Sequence, residues 1–225
     1  MRTSRFDSCV AAFGAVALVA VAATGCASSS SGSAASAFGA ASQSGNAGGS
    51  PSPTGIAAKL LSPGDLPSGW SVDAASPDAP QTADCPLLNA TLWNAPLADR
   101  GEVDLSRGLG GPFLVEVLAA GSADQAGKAW RLLVSGVPKC TTYTHSSAAG
   151  KSTFTIAKAA LPGFGDGSYS FTLSVAIAGG VSASGNIVAV HTNNCVVVVY
   201  LVGISGVTQS TVEDAVGRAV AKART

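Results

Sequence analysis

The sequence predicts an α+β domain: an antiparallel meander sheet of about five or six strands with two main helices packed on it. Three observations carry this expectation. Tyr169, Phe171, Leu173, Val175 and Ile177 alternate with Ser170, Thr172, Ser174 and Ala176, the period of two that buries one face of a strand and wets the other. Ile187 to His191 and Val196 to Val202 are nearly unbroken apolar runs on either side of Asn193-Asn194. They read as central strands covered on both faces, joined by a two-residue turn with positive φ. Finally, Ala126 to Val137 and Val212 to Ala223 place apolar residues at a period of 3.6, each behind a capping residue.

Two segments precede this domain. Residues 1–25 begin with a short positive region at Arg2 and Arg5. An apolar stretch follows from Val10 to Ala23, broken only by Gly14, and then Thr24, Gly25 and Cys26. That is the plan of a secretory signal peptide, which is removed and takes no part in the fold. Small residues let the chain lie extended in a peptidase site, and the Cys26 thiol is a nucleophile for a thioether-linked lipid. The stretch resembles the bacterial lipobox, matched at Gly25 and Cys26, with Ala23 where leucine is commonest. The competing readings are an ordinary secretory signal cut nearby and an uncleaved anchor. Two or three acyl chains hold a protein firmly, since each buried CH₂ contributes about 0.8 kcal/mol.

Residues 26–54 comprise the lipidated Cys26 and a tether of Ser, Ala and Gly, with Gln43, Asn46, Pro51 and Pro53. The tether has too few large apolar groups to offset the entropy of ordering and is predicted to be disordered. As a flexible coil it reaches roughly 30 Å.

Residues 55–225 form the domain. Ile56 to Leu61 is a short helical turn that Pro63 stops, and turn formers run from Ser62 to Gly69. Trp70 anchors this stretch on the core. Ser71 to Pro80 is polar and poor in structure. Cys85 to Trp93 reads as a helical turn or two with Pro86 at the first helical position. Val103 to Ser106 and Phe113 to Leu118 read as strands around Gly108 to Gly111. Ser122 and Gln125 form a capping box for the first helix, which Gly136 and Pro138 end. Phe154 and Ile156, between threonines, mark the antiparallel neighbour of the strand at Tyr169. Ser210 and Glu213 form a second capping box for the last helix.

Charge excludes one class of partner. The 13 basic and 13 acidic residues cancel. Loss of Arg2, Arg5 and Asp7 with the signal leaves 11 and 12, so no basic field exists to recruit nucleic acid. Beyond residue 30 the longest apolar run is Cys195 to Val202, far short of the roughly 20 residues that a helix needs to cross a bilayer.

Cys9 leaves with the signal and Cys26 is used by lipid, so Cys85, Cys140 and Cys195 remain on the side of the membrane where disulfides persist. Three thiols allow three pairings. Cys85–Cys140 is favoured because both lie in loops at element ends. It would close a loop of roughly 55 residues, worth about 4 kcal/mol in the chain-entropy picture. Cys195 opens a strand and reads as a small buried apolar residue. The competing pairing is Cys140 with Cys195 across the sheet.

No catalytic constellation emerges. His145, in a polar loop from Thr141, and His191, near a strand end, lack partners at metal-ligand spacing. Gly203-Ile204-Ser205-Gly206 is an incomplete nucleophile elbow. Gly163 to Gly167 has neither the lysine nor the following helix of a phosphate loop, and reads as a hairpin turn. Asp99, Glu102 and Asp104 read as a solvated acidic face. Trp93 and Tyr143 read as core or rim packing.

Several short motifs together resemble the extracellular sensor domain of PknH-type actinobacterial serine/threonine kinases and its stand-alone lipoprotein relatives. They are Leu60-Leu61-Ser62-Pro63-Gly64-Asp65-Leu66, Cys85-Pro86, and Ser122-Ala123-Asp124-Gln125-Ala126 with Trp130 and then Cys140. Gly185-Asn186-Ile187-Val188 and the closing helix Ala215 to Ala221 complete the set. The resemblance implies an antiparallel sheet flanked by helices, with a cleft for an envelope ligand. This chain departs from it in having too few cysteines for two disulfides, and it contains no kinase. The expectation is therefore a non-enzymatic lipoprotein, held at the extracytoplasmic face of the cell membrane through its lipid. It presents a sensor-like domain for an unidentified small-molecule, lipid or protein ligand, with no cofactor, no metal and no nucleic acid. The alternatives are a structural or protein-interaction envelope lipoprotein and, more remotely, an envelope hydrolase.

Overall fold

The computed structural model describes residues 55–73, 97–136, 141–147, 150–177 and 179–225. The signal peptide, Cys26, the tether, the stretch Cys85 to Trp93 and Cys140 lie outside these residues, and with them the favoured Cys85–Cys140 bridge. Within them the strands are β1 (Ser71–Val72), β2 (Asp99–Ser106), β3 (Phe113–Ala120), β4 (Thr142–Ser147), β5 (Gly150–Lys158), β6 (Gly167–Ile177), β7 (Val181–Thr192) and β8 (Cys195–Gly203). Helix α1 (Ala123–Gly136) joins β3 to β4, and α2 (Gln209–Ala223) follows β8.

This corrects the expected fold in two ways. The sheet has eight strands rather than five or six, and it dominates the two helices. It is not a simple meander, for the order is β1-β2-β3-β8-β7-β6-β5-β4. The chain leaves β3 through α1, starts again at the far edge with β4, and builds inward until β8 closes against β3. The two helices pack on opposite faces of the sheet, a point the sequence left open. β1 and β4 escape a reading by hydrophobic pattern for a physical reason. β1 is a two-residue ladder, Ser71 opposite Ser106 and Val72 opposite Leu105. β4 is an edge strand with Tyr143 as its one large apolar residue, so the stretch around His145 is strand rather than loop. Polar edges of this kind also discourage pairing with other chains.

β8 is buried along its whole length, and its side chains feed two separate cores. Val196, Val198 and Tyr200 join Phe113, Val115 and Val117 of β3 beneath Ala126, Ala129 and Leu133 of α1. Val197, Val199 and Leu201 join Leu114 and Leu118 on the other face. There they meet Val212, Ala215, Val216, Ala219, Val220 and Ala223 of α2, together with Leu60, Leu61, Leu66 and Trp70 of the lead-in segment 55–70. Trp70 is thus the expected anchor. Each buried valine of α2 contributes roughly 1.5 kcal/mol or more over an exposed one.

The helix starts are only half as expected. Before α1, the Ser122 amide donates to Gln125 Oε1 (2.8 Å) and the Gln125 amide donates to Ser122 Oγ (3.3 Å), a closed capping box. Before α2, the cap is Thr208, whose Oγ1 accepts from the Thr211 amide (3.3 Å). Ser210 already lies inside the helix. Asn193 and Asn194 do form a two-residue hairpin loop, with Thr192 opposite Cys195. Neither has positive φ, so the loop is not the mirror-image turn that paired asparagines suggest.

Candidate functional site

α2 covers the upper part of its face and leaves a lower corner open. Along β7 the boundary is sharp: Val188 and Val190 are fully buried, whereas Ser182 and Ser184 are exposed. On β6 the same face carries Thr172 opposite Asn186 and Ser174 opposite Ser184. The β8–α2 connection, Ser205 to Thr208, closes one side. The result is an open groove of about 520 Å³, lined by Thr172, Leu173, Ser174, Ser184, Gly185, Asn186 and residues 205–208. Its polar lining is hydroxyls and one carboxamide, with no charged side chain. The amide of Asn186 is oriented by donating to the Phe171 carbonyl (3.2 Å), and Thr172 Oγ1 donates to the Ala157 carbonyl (3.3 Å). Gly185 lets β7 approach β8, since a Cβ there would lie 1.8 Å from the Leu201 carbonyl oxygen.

The same face holds a second polar feature, deep beneath the lead-in segment. Glu116 of β3 is fully buried between Leu114 and Leu118. Its Oε2 accepts from the Leu61 amide at 2.6 Å, and its Oε1 is buried with no hydrogen-bond partner. Burial pushes this carboxyl up to about 7; the Leu61 bond and the Lys222 charge oppose the shift without cancelling it. Above it, Asp65 Oδ2 accepts from the Ser62 amide (2.7 Å), Ser62 Oγ (2.6 Å) and Lys222 Nζ of α2 (2.5 Å). Burial alone would raise the Asp65 carboxyl, but the bonds from Lys222 and Ser62 outweigh it and hold it below its ordinary range.

The residues singled out by sequence are scattered. Glu102 and Asp104 are half-buried on the α1 face, opposite Val117 and Val115. They are not the solvated face expected of them; Asp99 alone is exposed. His191 is half-buried and stacks on Trp130, with ring centroids 5.7 Å apart, and Trp130 also meets Tyr169 at 5.9 Å. Tyr143 is buried and stacks on Phe154 at 4.6 Å. Cys195 is a free, buried thiol 2.7 Å from Thr192 Oγ1, as its place in an apolar strand suggests. No group of three or more His, Cys, Asp or Glu among the described residues is arranged to hold a metal ion.

Sequence reasoning missed both polar features. Glu116 had a signal, being the one charged residue in Phe113 to Leu118. The groove had none, because Ser174 and Ser184 look like any wet strand face until the β8–α2 connection is laid beside them.

Comparison with known proteins bears on the fold. No family model and no curated protein matches the sequence. Among solved structures, the extracellular domain of PknH from Mycobacterium tuberculosis is similar, with a TM-score of 0.52 and 18% identity over 69% of this chain and 81% of that one. At that identity the likeness is one of fold alone.

Proposed function

We propose that the protein is a non-enzymatic envelope lipoprotein, anchored through Cys26, that presents a sensor-like binding domain on the extracytoplasmic face of the cell membrane. The observation that supports this reading is a fold similar to that of the extracellular domain of PknH, set behind a signal-like segment that ends in a lipobox cysteine. The groove on the α2 face is the binding site in this reading. A lining of hydroxyls and one amide without charge suits an uncharged polar ligand such as a saccharide, whose hydroxyls exchange hydrogen bonds with Ser, Thr and Asn at little desolvation cost.

Two measurements test the reading. In a bacterial host the wild-type chain fractionates with membranes and carries acyl groups on an N-terminal Cys26, and Cys26→Ser moves it to the soluble fraction. An unmodified Cys26 overturns the anchor. Neutral oligosaccharides from a bacterial envelope raise the melting temperature of the full chain, and Ser174→Trp, which fills the groove from an exposed strand position, removes the increase. Stabilisation that survives this substitution places the site elsewhere.

A further inference from the structure

The lead-in segment is fastened to the sheet by an unusual device. Two carboxyls and one lysine meet there, and the lysine is committed to Asp65. Glu116 is left with a single hydrogen bond, from the Leu61 amide, and one buried oxygen without a partner. Its neighbours in register, Val103 on β2 and Val199 on β8, bring no charge. The charged groups that bear on it are Asp65 from the lead-in segment and Lys222 from α2. With Asp65 ionised and holding Lys222, a second negative charge at Glu116 would have only that already paired lysine as a counter-ion. A buried, half-bonded carboxylate is far more costly than a neutral carboxylic acid.

The cover over Glu116 is residues 55–70, which set Leu60, Leu61, Leu66 and Trp70 in the core but contribute no strand to the sheet. Residues 55–70 hold two short 3-10 turns, Gly55–Lys59 and Pro63–Asp65, not a long helix or an interior strand. Leu60 lies directly on the backbone of Gly101, where a Cβ would come within 2.8 Å of Leu60 Cδ1. Lifting this segment admits water to Glu116 without breaking any pairing among β2, β3 and β8.

We propose that Glu116 and the Leu61 amide form a proton-operated latch, which holds the lead-in segment on the sheet while Glu116 carries a proton and releases it when that proton is lost. Opening returns the carboxyl to its ordinary acidity, so the open form binds fewer protons and gains population as pH rises. Ionisation strengthens the Leu61 bond, but burial outweighs that gain, which sets the direction.

Amide hydrogen exchange on the full chain tests this. Between pH 5.5 and 8.5, after correction for intrinsic rates, protection of the Leu61 amide falls on the order of thirtyfold, as linkage gives for a carboxyl raised to about 7. At both pH values Leu61 exchanges faster than the amides of β8, as local opening demands. Glu116→Gln keeps an acceptor for Leu61 and abolishes the pH dependence. Infrared absorption of the wild-type chain provides a check that needs no variant: a protonated-carboxyl band present at pH 5.5 is gone at 8.5. The latch is overturned by Leu61 protection that ignores pH, by Leu61 exchanging only together with β8, or by a carboxyl already ionised at pH 5.5.

Discussion

A single carboxyl sits where the pattern of β3 calls for an aliphatic side chain. The consequence for stability follows from linkage. Glu116 ionises at about 7 in the folded protein and at about 4.5 when unfolded, so the folded form holds its proton over a range where the unfolded form has lost it. Stability is full below pH 4.5 and falls as pH rises to 7, by about 3 kcal/mol in all. Asp65 works in the opposite sense, but its carboxyl lies below the ordinary range, so its contribution is lost only under more acidic conditions. Urea denaturation at pH 5 and pH 8 therefore gives a wild-type midpoint that drops with pH, and Glu116→Gln flattens the profile and is the more stable chain at pH 8. A wild-type midpoint equal at the two values would contradict the raised carboxyl.

Among the elements, legibility tracked how local the determining interaction is. The β5–β6 hairpin and the central pair β7–β8 were readable because a period of two and two apolar runs describe burial strand by strand. The first capping box was readable because Ser122 and Gln125 satisfy each other's amides within one turn. The second was misplaced. Ser210 and Glu213 have the spacing of a box, yet Thr208 is in place to take the Thr211 amide, and Glu213 instead accepts from Gln209 Nε2 at 2.7 Å. The choice between the two sites depends on where the chain leaves Gly203 and turns at Gly206 (φ 77°), which no spacing rule reports. Replacing Thr208 by Ala costs about 1 kcal/mol of stability, measured by chemical denaturation, and Ser210→Ala leaves stability within about 0.5 kcal/mol. The reverse ranking would restore the box at Ser210.

At the scale of the whole molecule, the strand order was beyond the reach of pattern. A meander is the default when successive strands look alike, and nothing in Phe113 to Ala120 announces that its partner is Cys195–Gly203. Only the two-sided burial of β3 hints that it needs a neighbour on each side. The two helices leave the paired strands β3 and β8 at opposite ends of the ladder, and each covers a different face. The groove is a product of the same topology: the β8–α2 connection reaches β6 and β7 only because β8 lies between β7 and β3.

The pairing of β3 with β8 also bears on how the chain comes to be folded. During synthesis β3 emerges long before its partner, and one long apolar ladder edge stays unmatched while β4 to β7 are made. The partner that finally arrives, Cys195-Val196-Val197-Val198-Val199-Tyr200-Leu201-Val202, is uncharged and strongly β-forming. Those are the traits of segments that self-associate when left exposed. Distant strand closure is slow compared with hairpin formation. The step that completes the sheet is thus also the one that withdraws these two apolar strands from association with other chains.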